Sequence, residues 1–218
     1  MSAEVWTLLL LSLWETCYMV FISGGVSFLL GIPLGVLLYT TRQGCIDENL
    51  LVNGLLAGII NAGRSVPFII LMVAIIPFTR LLTGSSIGTI AAIVPLTVAA
   101  IPFVARLVEG AINEVPAGLV EAAQSMGANS WQIITRVLLP EARSGLINGM
   151  TITLVALVGY SAMAGAIGGG GLGDLGIRYG YQRFDGVIML ATVVVLVVLV
   201  QLIQMVGDRL QHYYNKNL

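Results

Sequence analysis

The sequence predicts an all-α integral membrane protein with five transmembrane helices, and three observations predict it. Of 218 residues, 57% are hydrophobic and only 10% are charged, where a soluble domain carries roughly 25% charged residues. Mean hydropathy is +0.96. The charges also fall between long uncharged runs, and none of those runs alternates polar with apolar residues as a barrel strand does. The same composition excludes several functions. A disordered chain would be far less apolar. Ten Lys+Arg against eleven Asp+Glu make no basic field for nucleic acid. Cys17 and Cys45, in or beside apolar runs, suit neither a disulfide framework nor a thiolate metal site.

A helix crossing a hydrocarbon core of about 30 Å needs about 20 apolar residues. Residues 1–15 read as an interfacial lead-in, with Trp6 and Trp14 suited to the headgroup level. The opening Met-Ser-Ala-Glu has no Lys or Arg, and no small-x-small site follows the Leu run at 8–11, so no cleaved signal is expected. The first span, about 18–40, lies in the uncharged stretch 16–41. The second, about 53–78, is uncharged except for Arg64. The third spans about 87–105, the fourth about 145–168, and the Val- and Leu-rich fifth 186–207; residues 208–218 form a polar tail. Five spans put the termini on opposite sides. With the N-terminus outside, the cytoplasmic side holds Arg42, Arg106, Arg136, Arg143, Arg209 and Lys216, six, against Arg80, Arg178 and Arg183, three, outside. The basic excess therefore favours N-out, C-in.

That topology makes 106–143 the one long cytoplasmic loop. Pro116 suits the first turn of a helix, and Leu119, Ala122, Ala123 and Met126 recur at helical spacing on one face. Gly127 is placed to end that helix in a left-handed cap, and Asn129 with Gln132 to begin the next as a capping box. Ile133, Ile134, Val137 and Leu138 give the second helix its apolar face, and Pro140 is expected to end it. The pattern fits a docking element, or a helix pair lying on or re-entering the membrane.

Glu121-Ala122-Ala123, three residues, Gly127, nine residues, then Val137-Leu138-Leu139-Pro140 resembles the EAA loop of ABC importer permeases, with Val137 in place of the family's Ile. The resemblance implies a type I ABC importer permease fold over 16–207, with 106–143 as the coupling loop seated in a groove of an ATPase. Glu121, Ala122, Ala123, Gly127, Leu139 and Pro140 are then the coupling residues, although a solvated acid is the ordinary fate of a Glu such as Glu121. Further stretches are similar to the methionine-transporter permeases of that family: Trp14-Glu15-Thr16, Arg64-Ser65-Val66-Pro67-Phe68, Ile76 to Arg80, Ala92 to Thr97, and Gly159-Tyr160-Ser161-Ala162-Met163 before the glycines of 165–173. This implies import of methionine, L- and D-, across a bacterial inner membrane. The implied partners are a second copy of the chain, two cytoplasmic ABC ATPases that hold ATP and Mg, an extracytoplasmic substrate-binding lipoprotein, and lipid.

Other features sort as follows. Gly168, Gly170 and Gly173 spell G-x-G-x-x-G, but no strand precedes them and position 193 is Val, not an acid, so no dinucleotide site is expected. They are expected to end the fourth span and start an outer loop. The sole Lys, Lys216, completes no Walker A loop, so any ATP hydrolysis belongs to a partner. Gly31/Gly35, Gly54/Gly58 and Gly145/Gly149 suit close helix packing. Arg64 lies within a span close to Pro67; it serves the pathway or gate, or snorkels to phosphate or caps freed carbonyls. Tyr160, Ser161 and Met163 sit midway along the fourth run, where flexible Met163 is a gate plug or a gap filler. His212 reads as a tail residue. No nucleophile–base pair and no metal cluster is spelled out, so no catalytic site, no cofactor and no metal are expected in this chain. An ATP-independent transporter would be expected to show internal repeats and mid-span acids, which are missing here. A membrane scaffold is the other alternative.

Overall fold

The computed structural model describes residues 3–215, so the last three residues of the expected tail, Lys216 among them, lie outside the described residues. All regular structure among the described residues is helical. The elements are α1 (Ala3–Thr40), α2 (Leu50–Ser65), α3 (Phe68–Ala74), α4 (Ile76–Thr83), α5 (Thr89–Asn113), α6 (Ala117–Ser125), α7 (Ser130–Ile133), α8 (Leu139–Glu141), α9 (Arg143–Ala166), α10 (Gly171–Leu175) and α11 (Gly186–Asn215). Four helices, α1, α5, α9 and α11, are long and apolar enough to cross a membrane. The pair α2 and α3 supplies a fifth crossing if its two arms count as one span.

Several expectations need correcting. Residues 3–15 are not a separate lead-in but the first turns of a 38-residue helix. The second span is not one helix: α2 and α3 meet at a bend of 102°. Pro67 causes it, because its ring disfavours the helical region at Val66 and it has no N–H to donate; its own backbone sits at φ −56°, ψ 135°. Pro140 does not end a helix. Residues Ile134–Leu138 widen into a π turn, in which the Leu139 N–H reaches back to the Ile134 carbonyl, and helix resumes at Leu139 with Pro140 in its first turn. Proline is harmless in a first turn because that N–H would have no helical partner. Residues 208–215 of the expected polar tail are helical and continue α11.

The helices fold into two compact units. The first comprises residues up to Ser27, Val66–Ala100 and Thr153–Met205. Its core is built on Met19, Leu96 and Leu157, all fully buried. The ring of Phe68 stacks on Tyr160 with centroids 4.8 Å apart. The second comprises Phe28–Ser65, Ile101–Ile152 and the residues from Val206 on. Its core is Val104, Val108, Ile112, Ile133 and Leu138. Close packing there depends on glycine. A Cβ on Gly35 would sit 2.5 Å from the Ala105 carbonyl oxygen, one on Gly31 2.6 Å from Val104 Cγ1, and one on Gly145 2.8 Å from Ala111 Cβ. Gly54 and Gly58 differ from expectation, since nothing lies within 4 Å of a Cβ at either.

Candidate functional site

In the second unit, α6 and α7 form a helix–glycine–helix element whose turn is fully specified. Pro116 occupies the N-cap position of α6 rather than its first turn. At the far end the Ala128 N–H donates to the Ala123 carbonyl at 3.1 Å and the Gly127 N–H to Gln124 at 2.9 Å. Those bonds require Gly127 at φ 81°, a left-handed conformation open to glycine at no steric cost. The chain then enters α7 through a complete capping box. Asn129 Oδ1 accepts from the Gln132 N–H at 2.9 Å, and Gln132 Oε1 from the Asn129 N–H at 3.0 Å.

The face expected from Leu119, Ala122, Ala123 and Met126 divides in two. Ala123 is buried among Val120, Ala128, Ile133 and Leu138, so it fixes the element to its own unit. Leu119, Ala122 and Met126 point outward with Glu121 and Gln124. Met126 is 81% exposed and Trp131 72%. Two large apolar side chains thus stand exposed on either side of the turn. Sequence reasoning passed over Trp131; its signal was a bulky aromatic between Ser130 and Gln132, where the capping pattern asks only for polar residues. Leu139 packs on the same apolar cluster as Ala123, while Pro140 is exposed.

The remaining candidates lie apart from this element. Arg64, in the last turn of α2, is exposed and forms no ion pair among the described residues. Near the same helix, Arg106 pairs with Glu109 at 2.6 Å and donates to Asn61 Oδ1 at 2.8 Å. Also in the second unit, a cleft of about 460 Å³ is bordered by Arg106, Glu114, Glu141, Ser144, Asn148 and Gln211, among others.

In the first unit, Ser161 is buried and its hydroxyl donates to the Val158 carbonyl at 2.8 Å. Tyr160 is held by its stack on Phe68. Of the gate candidates in this unit, Tyr160, Ser161 and Met163, only Met163 is open, 47% exposed. The glycines after it do more than end a helix. Gly168, Gly170 and Gly171 all take positive φ, turning the chain so that α10 starts against α1. There Glu15 Oε2 accepts from the Gly171 N–H at 2.7 Å and Thr16 Oγ1 from the Leu172 N–H at 2.9 Å. Two side chains of α1 thus cap a helix 156 residues away. A Cβ on Gly170 would stand 2.8 Å from the Glu15 oxygen, which explains why that position has none. The acid at 15 went unassigned at the sequence level because its partners are backbone groups that composition cannot display.

Residues 31–218 match the model of the family described as binding-protein-dependent transport system inner membrane component. Similar curated relatives include the probable D-methionine transport system permease proteins MetI of Vibrio cholerae, 64% identical over 93% of this chain and 90% of that protein, and of Pasteurella multocida, 52% identical over 99% of each. Among solved structures, a chain of the MetNI methionine ABC transporter in an inward-facing conformation superposes with a TM-score of 0.97. It shares 53% identity and covers 98% of this chain and 99% of that one.

Proposed function

As the chain belongs to the family of binding-protein-dependent transport system inner membrane components, we propose that it is the membrane-spanning subunit of an ATP-driven methionine importer. The observation that carries the reading is the 53% identity and 0.97 TM-score to a chain of a methionine ABC transporter. Two copies of the chain form the pathway, with α2 and α3 together serving as the fifth crossing and the N-terminus outside. Two cytoplasmic ATPases supply ATP hydrolysis with their own ATP and Mg. An extracytoplasmic lipoprotein delivers L- or D-methionine.

On this reading the helix–glycine–helix element is the EAA coupling loop, and its partner is the ATPase. Leu119, Met126 and Trp131 make the apolar contact, beside Glu121 and Ala122. Ala123, Gly127 and Leu139 give the element its shape, with Pro140 at the turn that returns the chain to α9. Closure of the ATPase pair on ATP moves these loops and switches the bundle between inward- and outward-facing states. Met163, the open member of the trio with Tyr160 and Ser161, narrows the pathway, and Arg64 places a cation at or near it. The test is reconstitution. The chain, co-expressed with its ATPase and supplied with lipoprotein, is expected to take up radiolabelled methionine into proteoliposomes only with ATP and Mg. Uptake without ATPase, or ATP-driven uptake of other amino acids in preference to methionine, refutes it.

A further inference from the structure

We propose that the loop 41–49, between α1 and α2, is a brace for the helix–glycine–helix element, with Arg42 and Asp47 as positioning residues for coupling; this rests on reading that element as the ATPase contact. The loop touches the chain just before the element's first helix and again at the start of its second. Arg42 Nη1 donates to Asn113 Oδ1 at 3.0 Å, and Asn113 is the last residue of α5, just before the element begins. Ser130 Oγ donates to Asp47 Oδ1 at 2.7 Å, and Ser130 is the first residue of α7. Between these two points Ile46 packs on the apolar cluster that holds Ala123, Ile133 and Leu138. Residues 114–129 are thus bracketed by one short loop distant in sequence.

The loop is itself fixed, as a brace has to be. The Asp47 N–H donates to the Thr40 carbonyl at 3.1 Å and the Asn49 N–H to Thr41 at 3.0 Å. Glu48 Oε2 accepts from the Gly44 N–H at 2.8 Å. Asn53 Nδ2, on α2, donates to the Leu38 carbonyl at 2.7 Å and to Thr41 Oγ1 at 3.1 Å. The loop is therefore rooted in the end of α1 and the start of α2. The element needs that support, because α6 has nine residues and helices shorter than about 12–15 residues are marginal alone. An unbraced element would bend when its partner moved, and ATP would be hydrolysed without moving the bundle.

The experiment uses the assembled complex of permease, ATPase and lipoprotein in proteoliposomes, comparing Asp47→Ala, Asp47→Asn, Ser130→Ala and the Asp47→Ala/Ser130→Ala pair. Bound ATPase, ATP hydrolysis and methionine uptake are measured together. Losing one hydrogen bond of ordinary net strength shifts a two-state balance by about fivefold. Asp47→Ala is expected to keep its ATPase while methionine imported per ATP falls by about that factor. Asp47→Asn, whose amide oxygen still accepts from Ser130, retains coupling, and the double variant is no worse than either single one. Normal methionine per ATP in Asp47→Ala and Ser130→Ala overturns the brace. So do additive losses in the pair, or an Asp47→Asn variant as impaired as Asp47→Ala. If Asp47→Ala fails to accumulate, Ser130→Ala breaks the same bond from the other side and decides the question. An unmodified chain that binds no ATPase refutes the underlying reading instead.

Discussion

Gly127 permits a test in which backbone conformation is separated from space. Its φ is 81°, and nothing lies within 4 Å of where a Cβ would be. A Cβ there meets no neighbour within this chain, so a loss already present in the isolated permease reports the cost of the left-handed conformation. That cost is about 1–2 kcal/mol for an ordinary L-residue and up to about 3 kcal/mol for a strained position. Asn, which bonds to its own backbone, tolerates the region best, and β-branched Val worst. At 1.4 kcal/mol per tenfold, Gly127→Asn should weaken ATPase binding less than about threefold. Gly127→Ala should weaken it about fivefold, and Gly127→Val by as much as about 100-fold. The assay is titration of purified ATPase onto the permease in nanodiscs, with methionine uptake as the second readout and membrane level as the control. Wild-type affinity and uptake in the Val variant would refute the reasoning. An Asn variant as weak as Val would place the fault in lost space, not in φ.

Three further outcomes follow from the same structure. Glu15→Ala removes the acceptor of the Gly171 N–H, a bond to a charged group worth about 1.5–3 kcal/mol, and should lower the thermal midpoint in detergent; Glu15→Gln, which keeps an acceptor, should recover most of it, and equal midpoints for all three would discount the contact. Arg64→Ala should impair methionine uptake more than Arg64→Lys, and wild-type uptake in both would leave Arg64 incidental. With Cys17 and Cys45 replaced by Ser, Met163→Cys should cross-link two copies of the chain without nucleotide and lose that cross-link when ATP is trapped. Cross-linking that never forms, or that ignores nucleotide, would make Met163 a packing residue.

The parts of the fold legible in the sequence were those written in local chemistry. The uncharged runs located α1, α5, α9 and α11, and Gly127, Asn129 and Gln132 announced their turn because each satisfies named backbone groups within six residues. What escaped reading depends on partners distant in the chain. The spacing of Gly54 and Gly58 matches that of Gly31 and Gly35, yet only the latter meet a neighbour, and spacing carries no information about what faces a helix. Pro140 reads as a stop because a proline interrupts an α ladder; the π turn before it moves that missing donor into a first turn. Leu119 and Ala123 share a periodicity but not a fate. Two neighbouring positions on a short helix can straddle the line between core and surface, and the core that draws that line is contributed by α5, α7 and the π turn after it.

The bond from Glu15 to Gly171 also sets a clock during synthesis. Its two ends are 156 residues apart, so at about 5–20 residues per second the carboxylate emerges roughly 8–30 s before the glycine loop that receives it. Throughout that interval α1 carries an acid with no partner among the residues yet made, on a helix otherwise suited to lipid. An ionised group is costly in hydrocarbon, so that end of α1 stays near water, or against the insertion machinery, until the glycines arrive. One contact of the first helix made is consequently among the last to form, and a chain truncated before residue 171 cannot form it.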